Sequence, residues 1–260
     1  MSEPVRLGGM ALANGVLVHG PGHWACAVRH ADGRLELASG RKSIRASEVR
    51  SPVLRVPARV AEVLALLPEV GRALPAAELP FVQGRVLAAF AGTSAVVRGL
   101  RSSGLSPGAQ EVIAVLLTLV PTSFALRGTD VAAYHGAEHI AIGSYEHGEP
   151  RPREHERCGS HMLAPLLALT AAGNVLAGKV ARTARGRIAA RALAGAGALA
   201  AAGELYGWAL RHPDRPLARA LAWPGATLQS RVLTAEPTPE QLEVAQAALE
   251  ECLRLETAAG

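Results

Sequence analysis

The sequence predicts an α+β protein: an N-terminal β-hairpin region beside a mainly helical body with two apolar helical hairpins. Three observations support this fold class. Apolar residues alternate between turn signals from residue 5 to residue 38, Ala-rich helical patterns follow from Arg59 onward, and the chain ends in an amphipathic helix with a clear start. We expect one integrated domain made of five segments: 1–57, 58–133, 134–161, 162–211 and 212–260.

The β-hairpin region is predicted from residues 24–28 and 35–37. These two apolar runs flank Asp32 and Gly33, a dipeptide that favours a tight hairpin turn. The stretch that follows, up to residue 57, is basic and polar. We expect it to be extended and solvated, with its charged side chains in water: Arg41, Lys42, Arg45, Arg50 and Arg55.

The two helical hairpins are predicted from four apolar segments, which pair as 81–97 with 112–126, and 162–178 with 192–210. Residues 112–126 carry no charge over 15 positions and residues 162–178 carry none over 17. A membrane span needs about 20 apolar residues, with about 17 as the lower limit. Multi-pass insertion in the cell membrane, with membrane lipid as a partner, is therefore the preferred prediction. A soluble, cytoplasmic Ala/Leu bundle is the alternative.

The charged residues give no support for nucleic acid as a partner. The formal charge is +5, but the basic residues are almost all Arg and no basic stretch is interleaved with aromatic residues. The loop after residue 178 carries five basic residues, and the positive-inside tendency would place it in the cytoplasm. An even number of spans would place the metal-site segments on one side of the membrane. If that side is the cytoplasm, however, the same loop lies on the outer side.

The C-terminal helix has a recognisable start. Thr238 is expected as the N-cap, Pro239 as the first helical residue, and Gln241 as the partner in a capping box. One face is apolar and is expected to dock on the rest of the protein: Leu242, Ala245, Leu249 and Cys252. With three widely spaced cysteines in all, we expect no disulfide framework.

A candidate metal site stands out chemically. Five of the nine histidines fall between His135 and His161. On a helix, His135 and His139 would share a face at i and i+4, and Glu138 lies beside them. The order H-x-x-E-H is the inverzincin arrangement, in which two His bind zinc and the Glu acts on water.

Downstream, His155 and Cys158 have a spacing that lets both side chains converge on one ion. Imidazole and thiolate ligands together favour zinc, with iron or copper less favoured. We therefore predict His135, His139, His155 and Cys158 as metal ligands and Glu138 as the catalytic residue. Two alternatives stay open: a closed structural zinc site, which needs no carboxylate at 138, and histidines with no common role. Glu146 is a further candidate ligand.

Three blocks of sequence carry a family resemblance: GGMALANGVLVHGPGHWACAVRHADG at 8–33, YHGAEHIAIGSYEHGE at 134–149 with HERCGS at 155–160, and PGATLQSRVLTAEPTPEQLEVAQAAL at 224–249. In this order they resemble the YqhQ-type family of predicted metal-dependent proteins, which are usually embedded in membranes and have no known substrate. The resemblance implies membrane helices between the blocks and a metal-dependent activity.

The chain departs from the family in its N-terminal block, which usually reads GGQAVIEGVMMRGP. Met10 stands at the family's Gln, Asn14 at its Glu and His19 at its Arg. The metal-site pattern and these departures lead to two alternative functions. One is a zinc-dependent, hydrolase-like membrane enzyme of unknown substrate. The other is a non-enzymatic membrane or assembly factor with a structural zinc site, or an inactive family member that has lost the charge at position 14.

Overall fold

The computed structural model describes residues 4–49 and 51–259 and confirms the α+β class. Four strands form an antiparallel sheet in sequence order: β1 (Gly8–Ala11), β2 (Gly15–His19), β3 (His23–Arg29) and β4 (Leu35–Arg41). The predicted hairpin is β3–β4, and Gly33 takes the positive φ of 86° that its turn requires. The β-region is thus a complete small sheet rather than one hairpin.

The helical body contains two long helical hairpins and the helices that join them to the sheet. Its helices are α1 (Pro52–Ala73), α2 (Gly84–Arg101), α3 (Pro107–Leu117), α4 (Leu119–Leu126), α5 (Asp130–His147), α6 (Leu163–Val180), α7 (Ala184–Arg211), α8 (Pro216–Leu228) and α9 (Pro239–Ala259). A π-helical turn, Gln229–Leu233, follows α8 directly. The division into five segments stays a prediction, although α1 already begins at Pro52, before the bound placed at residue 57.

Both faces of β2 and β3 are buried, which explains why these two strands are apolar between their terminal residues. Val16 and Val18 face α5 and α9, whereas Leu17 faces the other side, where Leu66 and Val70 of α1 cover it. Side chains alternate between faces along a strand. A strand that is covered on both sides therefore needs apolar residues at every position.

The basic stretch after β4 is not fully solvated, and this expectation is wrong at Lys42. The side chain of Lys42 is only 2% exposed and forms an ion pair with Glu62 of α1. Its ammonium also donates to the carbonyl of Gly20 at 2.6 Å. A buried charge needs such partners, so Lys42 pins the sheet to α1. The expected extended conformation is also wrong from Pro52 onward, because Arg55 lies on α1; Arg50 lies outside the described residues.

A buried carboxylate ties together the ends of the helical hairpins. Glu111 of α3 forms an ion pair with Arg101 of α2 and accepts from Arg191 of α7 at 2.9 Å and from Asn174 of α6 at 3.1 Å. The α2–α3 and α6–α7 turns therefore lie at one end of the body. The other end of α7 reaches the segment between α5 and α6, where the Tyr206 hydroxyl lies 3.5 Å from the Glu156 carbonyl oxygen.

Three helices of the described chain are long and apolar enough to cross a membrane: Pro107–Leu126, Gly159–Val180 and Ala184–Arg211. The first joins α3 and α4. α2 is not among them, since it carries Arg85, Arg98 and Arg101. These candidates fit three of the four apolar segments, and the first predicted hairpin thus pairs one candidate span with a more polar helix.

The C-terminal helix forms as its sequence predicts. The Thr238 backbone N–H donates to Oε1 of Gln241 at 3.0 Å, and the Gln241 N–H donates to the Thr238 hydroxyl oxygen at 3.3 Å. This reciprocal pair is the capping box. Ala245, Leu249 and Cys252 are buried against the sheet and α5. All three cysteines of the chain are free.

Candidate metal centre

The centre of α5 presents the first two predicted ligands side by side. His135 and His139 are one helical turn apart, and their ring centroids are 4.3 Å apart. α5 is buried along most of its length, so these imidazoles point into the protein; His139 is only 2% exposed. The i, i+4 prediction is confirmed as to geometry.

Cys158 completes a group of three. One ligand atom from each of His135, His139 and Cys158 lies within 4.8 Å of the other two. The Cys158 sulfur is 3.8 Å from Nε2 of His135. Such a group could hold a metal ion, and three protein ligands leave a tetrahedral ion one position for water or substrate.

Backbone carbonyls orient both imidazoles. Nδ1 of His135 lies 2.9 Å from the Leu233 oxygen, and Nδ1 of His139 lies 2.7 Å from the Arg153 oxygen. A carbonyl can only accept, so each Nδ1 carries the proton and each Nε2 keeps a lone pair for an ion. Burial is the largest influence on His139 and lowers its pKa, which favours the neutral form that binds metals.

Glu138 lies directly beside the ligand group. Its Oε2 is 3.9 Å from Nε2 of His135 and 3.8 Å from Nε2 of His139. Burial raises the pKa of this carboxyl, although the nearby His135 and His155 oppose the shift. Among the described residues, none donates a hydrogen bond to it. A buried carboxylate without a donor is costly, so its position suits a partner held between the imidazoles.

Gly9 of β1 makes room for Glu138. A Cβ on Gly9 would lie 2.4 Å from Oε1 of Glu138. The strand can therefore pass closely over the carboxylate only because this residue is glycine. This role was not predicted from the sequence, although the Gly8-Gly9 pair at the start of a strand was a usable signal, since glycine in a strand often marks a close approach.

His155 lies near the group but is not part of it. Its ring centroid is 5.4 Å from that of His139, and its Nε2 lies 3.2 Å from Oε2 of Glu146. Glu146 also forms an ion pair with Arg157, and these two partners outweigh burial and lower the pKa of Glu146 to about 2. Glu146 is thus paired with His155 and Arg157 in the structure, and it is not part of the group of three possible ligands. A ligand role for His155 stays a prediction.

A buried amide holds the loop that carries Cys158. Gln229, in the π-helical turn, is fully buried; its Oε1 accepts from the His155 backbone N–H at 2.8 Å, and its Nε2 donates to the Ser160 hydroxyl at 2.8 Å. His161 is anchored beside it, with Nδ1 3.0 Å from the Ala222 oxygen. We did not identify Gln229 from the sequence. Its only signal was a lone amide after the apolar stretch of α8.

The three departures from the family's N-terminal block lie away from the metal group. Asn14 donates to the Ala76 oxygen at 2.9 Å and accepts from the Glu78 N–H at 3.0 Å, which fixes the loop after α1. His19 lies 3.3 Å from Nζ of Lys42, and Met10 packs against the apolar cluster beneath α1. None of these positions removes a member of the group formed by His135, His139 and Cys158.

Comparison with protein families gave one result that bears on the whole site. The model of a family described as proteins of unknown function, DUF1385, matches residues 79–255, about two thirds of the chain. The match includes α5, Cys158 and Gln229 and agrees with the YqhQ-type resemblance. Comparison with curated proteins and comparison with solved structures each gave no match.

Proposed function

Since this chain belongs to the DUF1385 family of proteins of unknown function, we propose its activity from its own site: a zinc-dependent, membrane-associated enzyme of hydrolytic type. One observation carries the proposal. Two imidazoles, a cysteine sulfur and a buried carboxylate that accepts no hydrogen bond from the described residues converge on the same small space. His135, His139 and Cys158 would hold the ion, and a zinc ion there supplies a Lewis acid that makes water a better nucleophile.

The chain's own residues then have distinct roles. The Leu233 and Arg153 carbonyls keep the two imidazoles in the tautomer that binds metal. Glu138 accepts the proton of the attacking water, since its Oε2 is almost equally distant from both Nε2 atoms. β1 and α5 exclude bulk water from the carboxylate, which is 7% exposed.

A structural zinc site in a non-enzymatic membrane or assembly factor is the second candidate. The observation in its favour is the tight linkage of the Cys158 loop to the rest of the fold through Gln229. A closed site needs a fourth protein ligand, and His155 is the nearest predicted one. The alternative of an inactive family member stays a prediction; Asn14, on which it was based, lies in the contact between the sheet and the loop after α1.

The metal prediction is tested by elemental analysis of the purified full chain. We expect about one zinc per chain in the wild type and less than a tenth of that in the His135→Ala, His139→Ala double variant. His147→Ala is the matched control: it lies on the same helix and in the same histidine-rich stretch, but it is not part of the ligand group, and its Nε2 lies 3.3 Å from Oε1 of Glu156. Equal zinc in the wild type and the double variant would contradict the proposal.

Membrane association is a separate prediction. We expect the chain to sediment with membranes and to stay there after an alkaline carbonate wash, because three helices have the length and composition of spans. Their outer surfaces are apolar: Leu176 is 62% exposed and Leu193 is 75% exposed. Exposed side chains of this kind suit lipid better than water. Recovery of the chain as a monomer in detergent-free buffer would instead support the soluble bundle.

A further inference from the structure

A cavity lies beside the Cys158 loop, at the end of α7 where the chain turns into α8. Its volume is about 660 Å³, within the range of about 300–1,000 Å³ that small-molecule sites occupy. Arg157 and His161, which flank Cys158 in sequence, form one wall. Arg211 and Arg219, from the end of α7 and the first turns of α8, form another.

The charges in this cavity leave a positive surplus. Its two carboxylates already have partners: Glu146 is paired with Arg157 and His155, and Glu156 lies 3.3 Å from Nε2 of His147. For Arg211 and Arg219, no carboxylate of the described chain lies within ion-pair distance. Two exposed arginines that line a cavity and have no counter-charge among the described residues favour an anionic ligand, above all a phosphate, which guanidinium groups bind well.

Besides Arg6, His147 and Tyr206, the rest of the lining is apolar, and the cavity lies at the ends of two candidate membrane spans. Pro165 of α6, Leu210 of α7 and Leu221 of α8 contribute to the wall. α6 and α7 belong to two of the three candidate spans, and Arg211 is the last residue of α7. An anion that carries an apolar tail could therefore place the tail along these helices and the charge between the arginines.

Exposed aromatic and apolar residues on α8 mark the same boundary. Trp223, 69% exposed, follows Arg219 by one helical turn, and Leu217, 57% exposed, begins the helix. Trp208 lies close by in sequence, near the end of α7, stacked on His212. Tryptophan is enriched at membrane interfaces, where its ring meets the headgroups. Two of the chain's three tryptophans therefore lie at this end of the apolar helices.

We infer that this cavity binds the phosphate headgroup of an anionic membrane lipid, with Arg211 and Arg219 as the headgroup contacts and Pro165, Leu210 and Leu221 along the acyl chain. The inference rests on the membrane part of the proposed function and not on the metal. It deepens that function, because the Cys158 loop forms the shared wall. A lipid bound here would contact Arg157, the residue before Cys158, and would therefore lie beside the candidate metal centre. A membrane lipid is accordingly a candidate substrate class for the proposed enzyme.

The test uses the full chain reconstituted in nanodiscs and native mass spectrometry to count the lipids retained. We expect phosphatidylglycerol to be retained about tenfold over phosphatidylcholine by the wild type. The Arg211→Gln, Arg219→Gln double variant should lose about that whole preference, since each basic residue near an anionic lipid surface contributes substantially to binding. Arg215→Gln is the matched control: it lies between the two arginines in sequence, is exposed, and does not line the cavity.

Three results would overturn the inference. Equal retention of both lipids by the wild type would exclude a headgroup site. An equal loss in Arg215→Gln would mean that general surface charge is responsible. Displacement of phosphatidylglycerol by millimolar inorganic phosphate would reduce the site to a simple anion site. Zinc content and membrane fractionation are measured on the same samples, so a chain that holds zinc and partitions into membranes without lipid preference fails here alone.

Discussion

The Glu138→Gln variant is expected to keep its zinc and its thermal stability and to lose the protein's cellular role. Glutamine has the same shape as glutamate but no basicity, and general-base catalysis typically contributes about 10²–10⁴-fold in rate. Glu138 accepts no hydrogen bond from the described residues, so its loss removes no contact that holds the fold. Complementation of a deletion strain, run beside zinc titration of the purified variant, measures both properties.

The structural reading of the site makes the opposite prediction for the same variant. If Glu138 only orients an imidazole, its replacement should weaken metal affinity about 10–100-fold, as loss of an outer-shell partner does. Any loss of function would then follow the loss of zinc. Glu149→Gln is the control, since this exposed carboxylate lies just beyond α5 and pairs with Arg151 at 3.4 Å, away from the ligand group. Full complementation by Glu138→Gln would exclude the catalytic role.

A second large effect is expected from Gly136→Ala, one residue after His135. A Cβ at this position would lie 2.3 Å from the Ala235 carbonyl oxygen. The segment cannot easily retreat, because the Ala235 N–H donates to the Ala132 oxygen at 2.8 Å. Overpacking of this kind typically costs about 1–3 kcal/mol, occasionally more. We expect about 3 kcal/mol here, because the neighbour is backbone rather than a flexible side chain.

That loss of stability should appear as a fall in Tm of about 6–12 °C in detergent, given about 2–4 °C per kcal/mol for a chain of this size. Zinc should fall as well, since the displaced segment includes Leu233, which orients His135.

Gly71→Ala is the matched control: it is an exposed position in α1 with nothing within 4 Å of the added Cβ. Alanine should stabilise the helix there by about 0.5–1 kcal/mol. A Gly136→Ala variant as stable as the wild type would show that α5 and residues 233–235 are not in close contact.

The parts of the fold that the sequence predicted correctly are those fixed by neighbours in sequence. The capping box at Thr238 and Gln241 and the turn at Gly33 depend on residues a few positions apart. The same holds for the shared face of His135 and His139. Each of these follows from helix or turn geometry alone, so a single chain segment carries the whole signal.

The parts that the sequence did not reveal depend on contacts between distant segments. Lys42 was expected in water, because nothing near it in sequence shows that Glu62 will cover it. The spacing of His155 and Cys158 made them a natural pair, yet the structure groups Cys158 with His135 and turns His155 toward Glu146. Gln229, which arranges this loop, lies 74 residues away from His155.

The carbonyl that orients His135 has a consequence for how the protein is made. Leu233 lies 98 residues beyond its partner in the chain, and the whole α6–α7 hairpin is synthesised between them. When α5 and Cys158 have emerged from the ribosome but residue 233 has not been synthesised, the three side chains of the group are already present. The hydrogen bond that orients His135 cannot yet form. The orientation of His135 is therefore completed only late in biosynthesis, after the α6–α7 hairpin has been synthesised.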